Sequence, residues 1–123
     1  MRTLLFVDDD EDVRESFSDL FTFAGWTVAG VGDGLEALAW LAARELPDVI
    51  VLDLKMPGCD GYEFRERQLA DPRLRGIPTV IFTADAQVDE GDVASLRDVP
   101  IVKKSAEFAQ LLAAVERAFA STT

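Results

Sequence analysis

The chain has no histidine and only one cysteine, Cys59, among its 123 residues. Without histidine it cannot itself act as a histidine phosphodonor, and a zinc site built on nitrogen and sulfur ligands is excluded. A lone cysteine permits no internal disulfide. Basic residues are also scarce: 12 Lys plus Arg stand against 23 Asp plus Glu, for a formal net charge of −11. Such a charge repels phosphate backbones and anionic bilayers, so the expected partners are cationic, with no direct nucleic acid and no membrane among them. The first residues form no extended apolar stretch, so neither a secretory signal nor a membrane span is expected, and a reducing cytoplasm is the expected location. No internal repeat, low-complexity tract or linker is present.

What the chain does have is apolar content, 49% of all residues, enough for one compact domain spanning 1–123. Short runs rich in branched and aromatic side chains predict strands at Leu4 to Val7, Thr27 to Val31, Val49 to Leu52, Thr79 to Phe82 and Ile101 to Val102. They read as strands buried on both faces. Between them, near-3.6-residue spacing predicts helices. One carries Val13, Phe17, Leu20, Phe21 and Ala24; a second carries Leu35, Leu38 and Leu41. The last carries Phe108, Leu111, Leu112, Val115 and Phe119. Weaker helical patterns cover Tyr62 to Ala70 and roughly Val88 to Leu96. Five strands alternating with five helices imply an α/β fold with right-handed crossovers and a parallel sheet covered on both sides.

Functional groups of an open parallel sheet gather beyond the carboxyl ends of its strands. The first strand runs into Asp8, Asp9 and Asp10, the third into Asp53, the fourth into Thr83 and the fifth into Lys103 and Lys104. Carboxylates from two strands thus converge with a hydroxyl and an ammonium, a costly cluster unless a cation is bound or protons are kept. The available ligands are hard oxygens, so the expected cation is Mg²⁺. One carboxylate is then free to act as a nucleophile, and Asp53 is placed for it. Attack on phosphorus would form an acyl phosphate, its oxygens neutralised by metal, ammonium and hydroxyl.

The segments "VDDD", "VLDLKMPGCDG", "IFTAD" and "VKK", in that order and spacing, resemble the receiver domains of two-component response regulators, similar to the single-domain chemotaxis regulator. The resemblance covers essentially the whole chain. It implies a flavodoxin-like, doubly wound three-layer sandwich with strand order 2-1-3-4-5. It also implies that Asp53 accepts a phosphoryl group from a sensor histidine kinase or phosphotransfer protein. Asp8, Asp9, Asp53 and the backbone carbonyl of Lys55 would hold Mg²⁺, while Thr83 and a lysine contact the phosphoryl oxygens. The output partner would be met on the face built from the fourth helix, fifth strand and fifth helix. The chain ends at "AFASTT" with no output domain, which fits a single-domain regulator and equally a receiver cut from a longer protein.

Several residues have simpler readings. Asp10, just before a helix, reads as an N-cap rather than a ligand, and Asp60, before Gly61 and Tyr62, as a turn or cap residue. Cys59, flanked by Gly58 and the "DG" pair, reads as an exposed free thiol without a role, and Arg73 and Arg75 as a solvated loop. Family members usually carry Lys-Pro and then an aromatic, whereas this chain has Lys103-Lys104-Ser105-Ala106. Both lysine registers are open. The apolar positions of the last helix match the family's offsets when Lys104 takes the lysine position, and Lys104 is preferred. Ser105 then replaces the proline. A cis bond before a non-proline costs about 2.5 to 4 kcal/mol, so a trans peptide or an altered loop is expected. Ile101 likewise stands where the family has a switching tyrosine or phenylalanine, and weaker coupling to the partner face is expected. Two alternatives are carried: a pseudo-receiver adaptor that acts without phosphorylation, and a Mg²⁺-dependent aspartyl-phosphate phosphatase of the haloacid dehalogenase type. The latter needs cap insertions that this length barely allows.

Overall fold

A computed structural model of the chain describes residues 2–84 and 94–121. Five strands, β1 (Thr3–Val7), β2 (Thr27–Val31), β3 (Val49–Leu52), β4 (Thr79–Thr83) and β5 (Ile101–Lys103), form one parallel sheet in the order β2-β1-β3-β4-β5. Around it lie α1 (Glu11–Phe23), α2 (Gly34–Ala43), α3 (Gly61–Ala70) and α4 (Phe108–Ala120). Two of the expected five strands are one residue longer at their carboxyl ends and one is longer at its amino end. Of the expected helix Val88 to Leu96, the described part, Ala94–Leu96, is a single 3-10 turn; the rest lies outside the described residues. Among the described residues no helix is long and apolar enough to cross a membrane.

Alternation along the strands divides the core into two layers, as successive side chains point to opposite faces. Leu5, Val7, Ile50, Leu52 and Ile81 pack with Ala37 and Leu41 of α2 and Phe64 of α3. Leu4, Phe6, Val49, Val51, Val80 and Phe82 pack with Phe21 of α1 and Leu111, Ala114 and Val115 of α4. Aromatic rings bind this second layer: Phe17 meets Phe82 edge-on at 5.0 Å, and Phe21 meets Phe108 at 4.9 Å between centroids. Edge-to-face pairs of this kind contribute about 0.5–1.5 kcal/mol each beyond their buried area.

The first three helices each begin at a side-chain acceptor. Asp10 accepts from the amides of Asp12 and Val13, Asp33 from Glu36, and Asp60 from Glu63. At α4 the roles reverse, and the Glu107 amide donates to the Gln110 side chain. The N-cap reading of Asp10 is therefore correct, and of the turn and cap readings for Asp60 the cap holds. Other readings need correction. β2 and β5 are the sheet edges and are only partly buried, because a neighbour covers each on one side alone. Of the expected stripe on α2, Leu41 is buried and Leu38 packs partly against the core, but Leu35 is exposed, and Gly34 and Ala37 complete the inward face. Arg73 is not merely solvated, since its guanidinium donates to the carbonyls of Leu41 (2.6 Å) and Arg44 (2.7 Å) and so closes the C-terminus of α2.

Cys59 is also corrected. It is buried, at 3% exposure, inside the α2–α3 layer. Its room comes from Gly34, where a Cβ would stand 2.5 Å from the Cys59 sulfur, and the Gly34 amide donates to the Cys59 carbonyl at 3.0 Å. Gly61 is a second close approach: a Cβ there would collide with the Asp53 carbonyl and come within 2.7 Å of Leu54 Cα. The start of α3 is thereby pressed against the end of β3. Alanine is favoured over glycine in helices by about 1 kcal/mol, yet Gly61→Ala should destabilise the domain by about 1–3 kcal/mol, because overpacking against immobile backbone outweighs propensity. Urea unfolding measures the sign, and a stabilised Gly61→Ala protein would contradict the close approach.

Candidate functional site

β1 and β3 are neighbours in register, Val7 beside Leu52, so the residues that follow them, Asp8 and Asp53, emerge side by side. The ladder continues past both strands: the Asp53 amide donates to the Val7 carbonyl at 2.9 Å, and the Asp8 amide to the Val31 carbonyl at 3.1 Å. Asp8 is fully buried, Asp53 is 5% exposed and Asp9 is exposed. One carboxylate oxygen from each of the three lies within 4.8 Å of the others. At such a separation two unit charges repel by about 3 kcal/mol or more at an effective dielectric of 20, which bears chiefly on the buried Asp8 and Asp53.

The opposing charge comes from β5. The Lys104 amide donates to the Thr83 carbonyl at 2.8 Å, extending the β4–β5 ladder by one rung. That fixes the start of the Lys104 side chain, whose Nζ sits 2.8 Å from Asp8 Oδ2 and 3.1 Å from Asp53 Oδ2. The described peptide bonds are all trans, including Lys104–Ser105. Thr83 is buried, at 1% exposure, at the end of β4. Lys55 follows Asp53 by two residues, exposed, in the loop leading to α3. The structure therefore brings Asp8, Asp9, Asp53 and Lys104 together, with Thr83 at the end of the neighbouring strand.

The remaining carboxylate oxygens are tied to backbone. Asp53 Oδ1 accepts from the Leu54 amide at 2.8 Å, and Asp8 Oδ1 from the Asp10 amide at 2.9 Å. Burial pushes the Asp53 pKa up, Lys104 pulls it back, and Asp8 adds to the rise, leaving it above the ordinary carboxylate value. Burial works against the charge of Lys104, but Asp8 and Asp53 outweigh it, and its pKa is raised. Asp8 Oδ2 is buried, and its contact is the ion pair with the Lys104 ammonium at 2.8 Å. Three carboxylates against one ammonium leave two negative charges in excess. Hard oxygen donors converging from two strands and that excess fit a divalent cation of the Mg²⁺ type.

Arg14 was not singled out from sequence. Its Nη1 donates to the Asp8 carbonyl at 2.7 Å, and its stem lies over Gly30 on β2. It braces the acidic turn from outside; no local pattern marks such a contact in the chain.

A family model described as "Response regulator receiver domain" matches residues 4–116. The response regulator MprA of Mycobacterium leprae is 44% identical over 89 residues, 71% of this chain and 37% of that protein. The response regulator PleD of Caulobacter vibrioides is 42% identical over 81 residues, 66% of this chain and 18% of that protein. The chain thus spans little more than a third of these relatives' length at most. Among solved structures, a putative response regulator from Chloroflexus aurantiacus has a TM-score of 0.86 at 30% identity, covering 97% of this chain and 98% of that one. The chemotaxis protein CheY4 of Vibrio cholerae has a TM-score of 0.85 at 26% identity, covering 96% and 98%. Fold and acidic edge define a receiver of the two-component kind. The chain belongs to the response regulator receiver domain family.

Cys59, in the loop beside this site, gives a direct check on the packing. Burial, then the neighbouring Glu63, push its thiol up to about 11 from 9.0. Two pH units correspond to about a hundredfold less thiolate at pH 8. Iodoacetamide should therefore alkylate the native protein at least that much more slowly than the urea-unfolded chain, read by intact mass. Comparable rates would contradict the buried loop.

Proposed function

We propose that residues 1–123 act as a phosphorylatable switch: Asp53 accepts a phosphoryl group from the phosphohistidine of a sensor histidine kinase or phosphotransfer protein, in a Mg²⁺-dependent reaction in the cytoplasm. The observation that carries this reading is the ammonium of Lys104 shared between Asp8 and Asp53 at the carboxyl edge of the sheet. In the transfer, an Asp53 carboxylate oxygen forms a bond to phosphorus as the phosphorus–nitrogen bond of the donor breaks. The electron pair returns to the imidazole nitrogen, which takes up a proton. Asp53 Oδ1 is held by the Leu54 amide, so Oδ2, facing Lys104, is the natural attacking atom.

Bound Mg²⁺ would supply charge neutralisation for the phosphoryl oxygens, with Asp8, Asp9, Asp53 and the Lys55 carbonyl as its protein ligands. Lys104 exchanges one partner for another: its ammonium leaves the Asp53 oxygen for a phosphoryl oxygen, a charge-assisted hydrogen bond of similar kind. The Thr83 hydroxyl is drawn toward the same group. These movements reach β5 and α4, the described part of the proposed output face. Ile101 on β5 is half-buried against the α2–α3 core layer. A branched aliphatic packs comparably in both states and offers little differential energy, so coupling to a partner is weaker than an aromatic at that place would give. The same residue and the lost Lys-Pro favour a second reading, a pseudo-receiver adaptor. The net charge of −11 supports cationic protein partners over nucleic acid.

Incubation with Mg²⁺ and acetyl phosphate, followed by intact mass spectrometry, separates the two readings. The switch requires one phosphoryl adduct in the native chain, none in Asp53→Asn and a reduced yield in Lys104→Ala. No adduct on the native chain would support the adaptor instead, and labelling of Asp53→Asn would move the acceptor elsewhere.

A further inference from the structure

At the opposite, amino-terminal edge of the sheet lies a pocket of about 490 Å³ between α3, the approaches to β4 and β5, and the end of α4. In a chain of net charge −11, its wall carries three arginines, Arg65, Arg75 and Arg117, and one carboxylate, Asp98. Arg65 is held in place. Its Nε donates to the Ser95 carbonyl at 3.0 Å and its Nη1 to Gln68 Oε1 at 2.8 Å. Gln68 is itself fully buried and locked by the carbonyls of Leu74 and Ile77 and the hydroxyl of Thr79. No carboxylate pairs with Arg65 among the described residues, and burial pulls its pKa down from the ordinary value. A partly desolvated cation is favoured by an anion beside it. Among the described residues, neither the Arg75 nor the Arg117 guanidinium has an ion pair or a hydrogen bond. Asp98, at the pocket's edge, makes no ion pair with them either.

The floor is of a different character. Ile77, Val99 and Ala114 are buried there, and Pro78 and Pro100 line the pocket with more accessible apolar surface. The volume is that of a small-molecule site, which typically runs from about 300 to 1,000 Å³. Three guanidiniums less one carboxylate leave a charge of +2 (3 − 1), which matches the roughly −1.5 to −2 of a phosphate monoester at neutral pH. Guanidinium forks fit phosphate oxygens two at a time.

We infer that this pocket binds a small molecule carrying a phosphate next to a flat apolar ring, the chemistry of a mononucleotide. The site is separate from the phosphoacceptor edge and does not depend on it. Phosphate meets Arg75, Arg117 and Nη2 of Arg65, and the ring lies on Pro78 and Pro100.

Titration of the ¹⁵N-labelled chain with AMP, adenosine and inorganic phosphate in EDTA, followed by amide chemical shifts, tests it. AMP should give saturable shifts at Ile77, Val99 and Ala118, with adenosine and inorganic phosphate each binding at least roughly tenfold more weakly. Arg75→Gln/Arg117→Gln replaces two exposed side chains that hold nothing in the fold, and should weaken AMP by roughly tenfold or more. Asp98→Asn removes the one opposing charge, and asparagine tolerates the positive φ of 64° found there; it should tighten AMP. Adenosine or inorganic phosphate binding as well as AMP, shifts confined to the Asp53 edge, or indifference to the double variant would overturn the assignment.

Discussion

The structure turns on one ammonium between two buried carboxylates. Lys104 reaches Asp8 at 2.8 Å and Asp53 at 3.1 Å, and through them it joins the carboxyl ends of β1, β3 and β5. Without it, two desolvated like charges would face each other at the end of the most buried strands. With it, repulsion is only partly answered, since Asp9 adds a third carboxylate to the same cluster. The site is left electrostatically incomplete. On the proposed reading, such a site would take up a cation and present one carboxylate to an incoming phosphoryl group.

The rest of the fold serves that edge. Two-sided burial of β1, β3 and β4 holds their ends in register, and the aromatic contacts of Phe6, Phe17, Phe21, Phe82 and Phe108 fix α1 and α4 on one face. Gly61 lets α3 begin directly against Asp53, while Gly34 accommodates Cys59, so the loop after β3 is clamped from two sides. Charge is divided along the sheet. Acid collects at the carboxyl ends, and Arg65, Arg75 and Arg117, unpaired with any described carboxylate, sit near the amino ends.

Much of this was legible in the residues, and for physical reasons. A strand covered on both faces must be apolar at every position, so Val49–Leu52 and the run through Phe82 stand out without any alignment. The acids that follow them stand out equally, because no core can shelter them. Edge strands were misjudged since apolar composition does not tell whether a neighbour lies on one side or two. Leu35 misled because the true stripe of α2 uses small residues, Gly34 and Ala37, that carry little hydropathy. Cys59 and Arg73 depend on contacts from remote segments, the space at Gly34 and the open carbonyls of Leu41 and Arg44. Arg14, Gln68 and Arg65 belong to the same class: their roles come from three-dimensional neighbours, and spacing along the chain leaves no trace of them.

The central claim is that the acidic edge is strained without a divalent cation and relieved by it. Thermal unfolding of the native chain and of Asp8→Asn/Asp9→Asn, each in EDTA and in excess Mg²⁺, addresses it directly. The account predicts that Mg²⁺ raises the melting temperature of the native chain, that the double variant melts no lower than the native chain in EDTA, and that Mg²⁺ leaves the variant unchanged. A native chain indifferent to Mg²⁺, or a variant that gains as much from it, would contradict the account.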